Sequence, residues 1–256
     1  MKILLVNDDG YGAEGLMALY EALKDKHEVM ITAPEVEHSG AGHSVTLRQE
    51  IRAKKRPLGY AVTGTPADCA KVGIRHLMKE CDLVISGINP GANLGMDANY
   101  SGTVAAAREA ALQGKQALAA SCYCRRFRDV AFLAEYTVQV AEKLMENPLP
   151  KGTFLNLNMP NVTREQGMTA EAAPMGWHIY AEEFAMREAE DGSGDYVFAP
   201  MYGKEVLMQQ GHVDNILVRE GIAALTTVSW DATHFPTFHT ALKIAKEMKD
   251  AGNVLA

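Results

Sequence analysis

Short runs of consecutive apolar residues alternate with amphipathic segments along the first 160 or so residues of the chain. The pattern begins with a strand at Ile3 to Asn7, a helix from about Gly15 to Lys24 and a second strand at 27–33. A strand that is covered on both faces reads as an unbroken apolar run, whereas a surface helix repeats its apolar residues every three or four positions. Because a helical crossover joins parallel strands, the sequence predicts an α/β fold with a doubly wound, mostly parallel, Rossmann-like sheet.

The same alternation continues through the rest of this region. Further strands are predicted at 82–86, 116–121 and 153–158, with helices at 64–79, 103–113 and 129–146 and two extended pieces at 46–53 and 59–64. Together these elements predict an α/β core over about residues 1–160 of a single domain that spans 1–256.

The pattern weakens beyond Asn161. The predicted elements there are a hairpin with strands at 168–184 and 194–202 around the acidic, flexible run 185–194, a strand at 222–230 and a helix at 238–248. An apolar arm without a layer of its own to pack against indicates an oligomer contact. We therefore expect the part from about 161 to 256 to carry an extended arm that assembles a homodimer or homotetramer.

The charge and the length exclude several classes of protein. A formal net charge of -7 disfavours a general nucleic-acid or anionic-membrane binder, because those partners attract basic patches, so no stable nucleic-acid complex is expected. No segment has the roughly 18 consecutive apolar residues of a membrane span, and Ile3 to Val6 is too short for a signal-peptide core, which predicts a cytoplasmic protein. Four cysteines are predicted to be reduced packing residues: Cys69, Cys81, Cys122 and Cys124.

Two adjacent carboxylates follow the first strand, in the segment NDDG at Asn7 to Gly10. Neighbouring strand residues point to opposite faces, so Asp8 and Asp9 converge only if the strand has ended and the chain turns, which Gly10 permits. Carboxylates held together repel unless one is protonated or a cation lies between them. Asn, Asp and Gly are also common turn residues, so the segment alone predicts a solvated turn as readily as a metal site.

A second polar loop follows the next strand. The segment SGAGHS, at Ser39 to Ser44, offers the Ser39 hydroxyl and the His43 imidazole, and its glycines leave backbone N–H groups free. Taken alone, these residues are more typical of an exposed turn than of a metal ligand or an acid catalyst.

A third loop, SGINPGANLG, places Asn89 and Asn93 beyond the strand at 82–86, and YSGT introduces the helix that follows. A helix amino end with small residues and free N–H groups is a ready anion site. Ordinary capping by Ser101 would explain the same residues.

Taken together, the three loops predict one binding site, because the carboxyl ends of parallel strands meet at one edge of the sheet, where open α/β folds bind ligands. Two carboxylates, a hydroxyl and an amide are all oxygen donors, which suit Mg²⁺, Mn²⁺ or Ca²⁺ and not a metal that prefers thiolates. A hard cation beside an anion-binding helix end predicts phosphate chemistry.

Five linked motifs resemble the SurE (survival protein E) family: NDDG, SGAGHS, GTPADC at Gly64 to Cys69, SGINPGANLG, and YSGTVAAAREAALQG at Tyr100 to Gly114. The segment LNLNMP, at Leu155 to Pro160, fits the next strand of that family. The resemblance implies a divalent-metal-dependent 5′- and possible 3′-nucleotidase, a phosphatase that acts on nucleoside monophosphates.

The resemblance also implies the residues of the site. The positions that match the metal ligands of the family are Asp8, Asp9, Ser39 and Asn89, and those that match its phosphate-binding residues are Asn93, Ser101, Gly102 and Thr103. One divalent cation per subunit is expected, Mg²⁺ or Mn²⁺, with Ca²⁺ as a substitute in a crystal. In metal-assisted hydrolysis, Asp8 or Asp9 would orient or deprotonate the water, and His43 would protonate the leaving nucleoside oxygen.

The C-terminal part departs from the family pattern. The chain reads GHVDN at Gly211 to Asn215 where a Gly-Thr-Asp run is usual, and TTVSWDATH at 226–234 where a proline-rich end is usual. Arms of this family commonly exchange between subunits, so these departures bear on the subunit contact and the base preference rather than on the metal site.

Two other classes share part of this pattern. A signalling receiver domain also ends its first strand in paired acids, but it needs a phospho-acceptor aspartate at the end of the third strand, whereas Asp82 begins that strand here and Ser86 ends it. A non-catalytic nucleotide- or phosphate-binding module would use the same helix end without turnover.

Overall fold

The computed structural model describes residues 1–180, 183–191, 193–201 and 205–250, which form an α/β fold around one large sheet. The strands are β1 (Lys2–Val6), β2 (Glu28–Pro34), β3 (Ala53–Arg56), β4 (Gly59–Val62), β5 (Leu83–Pro90), β6 (Gln116–Tyr123), β7 (Thr153–Pro160), β8 (Ala170–Ala172), β9 (His178–Tyr180), β10 (Glu183–Glu188), β11 (Tyr196–Met201), β12 (Glu205–Leu207) and β13 (Ala223–Ser229). The helices are α1 (Glu14–Leu23), α2 (Pro66–Val72), α3 (Gly102–Leu112), α4 (Val130–Glu146), α5 (Asp214–Arg219) and α6 (Phe238–Asp250).

The nine-stranded sheet has the order β3-β4-β2-β1-β5-β6-β7-β13-β8. Its centre, from β4 to β7, is parallel, and antiparallel pairs join β3 to β4 and β7 to β13. The predicted doubly wound, mostly parallel fold is therefore confirmed. Because β13 and β8 belong to this sheet, the sheet extends past residue 160.

Helices cover both faces of the sheet, and the side chains of β1 pack against the helices on each face. Ile3 and Leu5 pack in the cluster with α1 and α4, whereas Leu4 and Val6 pack in the cluster with α2 and α3. Alternate strand residues point to opposite faces, so an unbroken apolar run supplies both layers. No described helix is long and apolar enough to cross a membrane.

The winding direction changes between β1 and β5. The chain passes from β1 to β2 on one side, and β5 then returns to pair with the other side of β1, with Val6 opposite Ser86. The loops after β1 and β5 therefore diverge and leave a crevice at the carboxyl edge of the sheet. Helix α1 crosses this edge closely, because a Cβ at Gly15 would lie 2.0 Å from the backbone oxygen of Ile88.

Several predicted elements differ in extent from those observed. The strand predicted at 82–86 extends over Leu83–Pro90 and therefore includes Asn89, which was predicted to lie beyond it. The extended piece predicted at 46–53 is wrong over most of its length, since the strand is Ala53–Arg56. Thr46 instead donates from its N and Oγ1 to the Asp68 carboxylate, which holds this stretch against the start of α2. The helix predicted at 64–79 is regular only over Pro66–Val72 and continues as a π-helical turn over Gly73–Leu77.

The predicted hairpin exists with shorter strands. β10 pairs with β11, from Glu183 opposite Met201 to Glu188 opposite Tyr196. Residues 185–188, which were predicted to be flexible, therefore belong to a strand. The segment predicted as one strand over 168–184 forms parts of three strands: β8 in the main sheet, β9 paired with β12, and the start of β10. Residues 181, 182, 192 and 202 of the predicted hairpin lie outside the described residues.

Candidate active site

The turn after β1 is held by Asn7. Its buried side chain donates from Nδ2 to the backbone oxygen of Gly10 at 2.9 Å and accepts from the Gly10 N–H at 3.3 Å. Gly10 has φ of 109°, a left-handed conformation that glycine adopts without a steric penalty. Asn7 and Gly10 therefore turn the chain at the point where the sequence places the two aspartates.

Asp8 is buried against the amino end of α3. Its Oδ1 accepts a 2.5 Å hydrogen bond from the Thr103 hydroxyl. A Cβ at Gly102 would lie 2.7 Å from the Asp8 Cβ, so this approach depends on a residue without a side chain. Burial raises the pKa of Asp8 although the Thr103 hydrogen bond acts in the opposite direction. The amino end of α3 and the Asp8 carboxylate are therefore in direct contact.

Asp9 is half-buried beside Asp8. Burial, and then the charges of Asp8 and Glu37, raise the pKa of Asp9 to about 7. Its Oδ2 is buried and has no hydrogen-bond partner among the described residues. An anionic oxygen without a partner is costly to bury, so this atom has the environment of a cation ligand.

The loop after β2 is tied to both of these elements. His38 N donates to the Asp8 backbone oxygen at 2.8 Å, and Gly42 N donates to the Tyr100 backbone oxygen at 2.8 Å. Between these anchors, Ser39 donates from Oγ to Glu37 Oε1 at 2.6 Å. The loop therefore brings the Ser39 hydroxyl to the side of the crevice that faces Asp8.

His43 has a different neighbourhood. Its Nε2 lies 3.1 Å from Glu109 Oε2 in α3, and Lys71 of α2 lies 3.8 Å from the other oxygen of that carboxylate. His43 is not among the residues that line the cleft around Asp8 and Asp9. Its role as proton donor stays a prediction.

The end of β5 and the loop after it bring in two asparagines, Asn89 within the strand and Asn93 beyond it. Asn89 donates from Nδ2 to the Gly91 backbone oxygen at 2.7 Å, which leaves its amide oxygen to serve as a ligand. Asn93 is buried, and its Nδ2 donates to Ser121 Oγ at 2.7 Å. Its backbone N–H donates to Asn158 Oδ1 at 2.7 Å, and Asn156 and Asn158 both donate to its backbone oxygen.

Most of the residues predicted for the site converge on one open cleft of about 370 Å³. The predicted residues that line it are Asp8, Asp9, Ser39, Asn89, Asn93 and Ser101. Ser101 caps α3 through a 3.1 Å hydrogen bond from Val104 N. Gly102 and Thr103 are buried and are not among the residues that line the cleft, and Thr103 uses its hydroxyl on Asp8.

Three polar side chains that were not predicted as site residues also line the cleft: Glu37, Asp97 and Tyr100. The polar anchors of Asn93, which are Ser121, Asn156 and Asn158, were missed too. The alternate asparagines of LNLNMP were the available signal, because two amides on one face of a buried strand need polar partners.

The cleft is acidic. Its lining includes the carboxylates of Asp8, Asp9, Glu37 and Asp97 and, within the described part of the chain, no Lys or Arg. A phosphate dianion would be repelled there unless a cation offsets the charge.

No three His, Cys, Asp or Glu side chains form a metal-binding group within 1–180, 183–191, 193–201 and 205–250. A cation in this cleft would therefore use the Ser39 hydroxyl and the Asn89 amide oxygen together with the two aspartates. That all-oxygen donor set fits a hard divalent ion.

The fold and the cleft define a doubly wound α/β protein with an oxygen-donor site beside a helix amino end at its topological switch point. The family model described as survival protein SurE matches residues 3–182. The chain therefore belongs to the SurE family, as its motifs indicated.

Individual relatives match over nearly the whole chain. A protein of Thermoanaerobacter sp. (strain X514) named 5′-nucleotidase SurE is 38% identical over 242 residues, which is 92% of this chain and 94% of the relative. A protein of Desulfatibacillum aliphaticivorans with the same name is 40% identical over 247 residues, with the same shares covered. The crystal structure of the SurE protein from Aquifex aeolicus matches with a TM-score of 0.84 and 32% identity, covering 96% of this chain and 100% of that one.

Proposed function

We propose that this protein is a divalent-metal-dependent 5′-nucleotidase that hydrolyses nucleoside monophosphates to a nucleoside and inorganic phosphate. The observation that carries the proposal is the Asp8–Thr103 contact, which fixes an acidic, oxygen-rich cleft against the amino end of α3. The 5′-nucleotidase names of relatives that match 92% of the chain support the activity and its substrate class.

The proposed ligands of one Mg²⁺ or Mn²⁺ ion per subunit are Asp8, Asp9, Ser39 and Asn89. The unpartnered Asp9 Oδ2 and the raised pKa values of both aspartates support this set, because a cation would stabilise their charged forms. When bound, such an ion supplies Lewis acidity toward phosphoryl oxygens and lowers the pKa of a water ligand.

Residues of the chain itself are proposed to bind the phosphate and to transfer protons to and from the reacting groups. The backbone N–H groups at Gly102 and Thr103 would hold the phosphate, and their fixed dipoles would stabilise the charge that develops on its oxygens. A water oxygen attacks phosphorus while the bond from phosphorus to the nucleoside oxygen breaks. Asp8 or Asp9 would orient the water or accept its proton.

The leaving nucleoside oxygen must receive a proton, and His43 is the proposed donor. Because the His43 ring contacts Glu109 of α3, it would have to approach the substrate from the α3 side of the loop at 39–44. His43→Gln tests this role. A donor is indicated if the variant loses turnover on AMP but keeps it on p-nitrophenyl phosphate, whose leaving group needs no protonation.

A phosphate-release screen over nucleoside monophosphates, with Mg²⁺, Mn²⁺ or EDTA, tests the proposed function directly. We expect release from 5′-monophosphates with either metal and none with EDTA. Nucleotide binding without release in both metals would instead identify a non-catalytic binding module.

A signalling receiver is the weaker alternative on structural grounds. β5, which pairs with β1 at the switch point, contains no aspartate over Leu83–Pro90 that could accept a phosphoryl group. Incubation with acetyl phosphate should accordingly leave the protein unlabelled.

We also propose that the β10–β11 arm contacts a second copy of this chain. Large apolar side chains are exposed along it, namely Phe184, Met186, Tyr196, Phe198 and Met201. A surface of this kind is typical of a contact between subunits. Light scattering should give a mass of two or four chains, and Phe184→Asp with Phe198→Asp should lower it.

A further inference from the structure

A hollow of about 370 Å³ adjoins the acidic cleft. Its wall includes Tyr100, His178 and Tyr180. Asp97 and Tyr100 line both the hollow and the cleft, so the two spaces lie side by side. Tyr100 immediately precedes the Ser101 cap of α3, and a phosphate at that helix end would therefore direct the rest of its molecule toward the hollow.

The Asp97 carboxylate is positioned by its neighbours. Its Oδ2 accepts a 2.7 Å hydrogen bond from the Tyr180 hydroxyl and lies 3.3 Å from His178 Nε2. The Asp97 side chain is 28% exposed, so part of the carboxylate faces the open space. Burial and the Asp97 carboxylate raise the pKa of Tyr180, which keeps its hydroxyl protonated as a donor.

His178 is a buried polar group in the same wall. Its side chain is 1% exposed, and neither ring nitrogen has an aligned hydrogen-bond partner among the described residues. The ring packs edge-on against Tyr180, with centroids 5.4 Å apart. Because Nε2 lies 3.3 Å from Asp97 Oδ2 and the ring is closed off from the hollow, His178 supports the Asp97 carboxylate from behind.

A second buried carboxylate fixes the turn that carries Asp97. Asp214 is fully buried and accepts from Gly95 N and from Gly176 N, each at 2.8 Å. It thereby joins the turn Gly95–Asn99 to the segment that leads into His178. Asp97 consequently meets His178 and Tyr180 in a fixed arrangement, which a recognition site requires.

We propose that Asp97, held in place by His178 and Tyr180, accepts hydrogen bonds from the ribose hydroxyl groups of the nucleotide, with Tyr100 and Tyr180 against the base. A carboxylate that binds a ribose hydroxyl is a common device in α/β folds, and aromatic rings stack on any base. This inference rests on the nucleotidase function proposed above. It assigns selectivity for ribonucleotides to residues that do not hold the metal or the phosphate.

The experiment compares kcat/KM on AMP, 2′,3′-dideoxy-AMP and p-nitrophenyl phosphate, with Mn²⁺ throughout. The wild-type protein should prefer AMP to the dideoxy nucleotide by about tenfold or more, as expected for loss of a hydrogen bond to a charged group. Asp97→Asn should lower kcat/KM on AMP by roughly tenfold to a hundredfold, mainly through KM, and should erase that preference. Its activity on p-nitrophenyl phosphate should change by a clearly smaller factor than its activity on AMP.

Two further variants sharpen the test. Tyr180→Phe keeps the ring but removes the hydroxyl that orients Asp97, so it should reduce the AMP preference by a smaller factor. Asp25→Asn, an exposed aspartate in the turn after α1, is the matched control and should change nothing.

Equal wild-type rates on AMP and the dideoxy nucleotide would overturn the inference without any variant. Equal losses on AMP and p-nitrophenyl phosphate in Asp97→Asn would also overturn it, because Asp97 would then serve the phosphate site or the fold. Absence of phosphate release from all three compounds by the wild-type protein would instead contradict the nucleotidase function itself.

Discussion

The hydroxyl of Thr103 donates a 2.5 Å hydrogen bond to Oδ1 of Asp8, and this contact joins the first turn of α3 to the loop after β1. The two residues are separated by 95 positions in the sequence. Each alone has an ordinary explanation, a helix end and a polar turn. Their contact places a carboxylate directly against the amino end of a helix.

Asp8→Asn should lower kcat/KM by at least about a hundredfold, since even residues that only support metal ligands cost 10- to 100-fold when mutated. The fold should survive, because asparagine has the same shape and replaces a carboxylate whose pKa burial raises. Phosphate release and a thermal melt without metal check both statements. Near-native turnover with saturating Mg²⁺ and Mn²⁺ would rule out Asp8 as a ligand, and Asp25→Asn serves as the exposed control.

Divalent metal should raise the melting temperature, and EDTA should reverse the change. A ligand at 100 times its Kd stabilises the folded state by about 2.7 kcal/mol, which corresponds to roughly 5–10 °C for a chain of this size. Asp9→Asn should lose most of this shift because it removes the unpartnered Oδ2. A full shift retained in that variant would place the metal elsewhere.

Gly102→Ala should weaken activity and stability together. The new Cβ would lie 2.7 Å from the Asp8 Cβ and 2.9 Å from Pro66 Cγ, so α3 must move away from the aspartate. Overpacking of this kind costs about 1–3 kcal/mol. Urea denaturation and kcat/KM report the two effects. Gly12→Ala is the matched control, because a Cβ there has no atom within 4 Å.

The Glu109 contact with His43 should make stability depend on acid pH. Burial acts to raise the pKa of Glu109, but hydrogen bonds from His43 and Gln113 and the charge of Lys71 outweigh it and lower the pKa below its ordinary value of 4.5. The unfolded chain therefore binds more protons just below pH 4.5, so this contribution is complete above that pH and is lost as the pH falls through the folded-state pKa.

Urea denaturation of wild type and Glu109→Gln at several pH values checks this sign. The wild-type protein should be the more stable one at pH 6, and the difference should shrink below about pH 4.5. A constant difference from pH 6 to pH 3 would mean that the charge of Glu109 contributes nothing. Glu80→Gln, on an exposed residue paired with Lys2, is the control for loss of a surface charge.

The sequence alone determined the layers of this protein. The run ILLV favours a strand covered on both faces, and the spacing of Leu16, Leu19 and Leu23 fits a helix that covers one of them. Local turn chemistry also indicated where some elements begin and end, such as the Thr65 cap of α2, and the order of strands and helices predicted that polar loops would meet at one edge. Five motifs then indicated the family.

Only the tertiary structure decided which side chains meet at that edge. The positions of Asp97, His178 and Asp214 relative to one another depend on long loops. No period or spacing relates Asp97 to His178, 81 positions away, or Gly95 to Asp214, 119 positions away. The same reason separates His43, which pairs with Glu109, from the cleft that its loop borders. Periodicity reports which face of an element is buried, whereas a binding site depends on distances between elements, and these are set by packing of the whole chain.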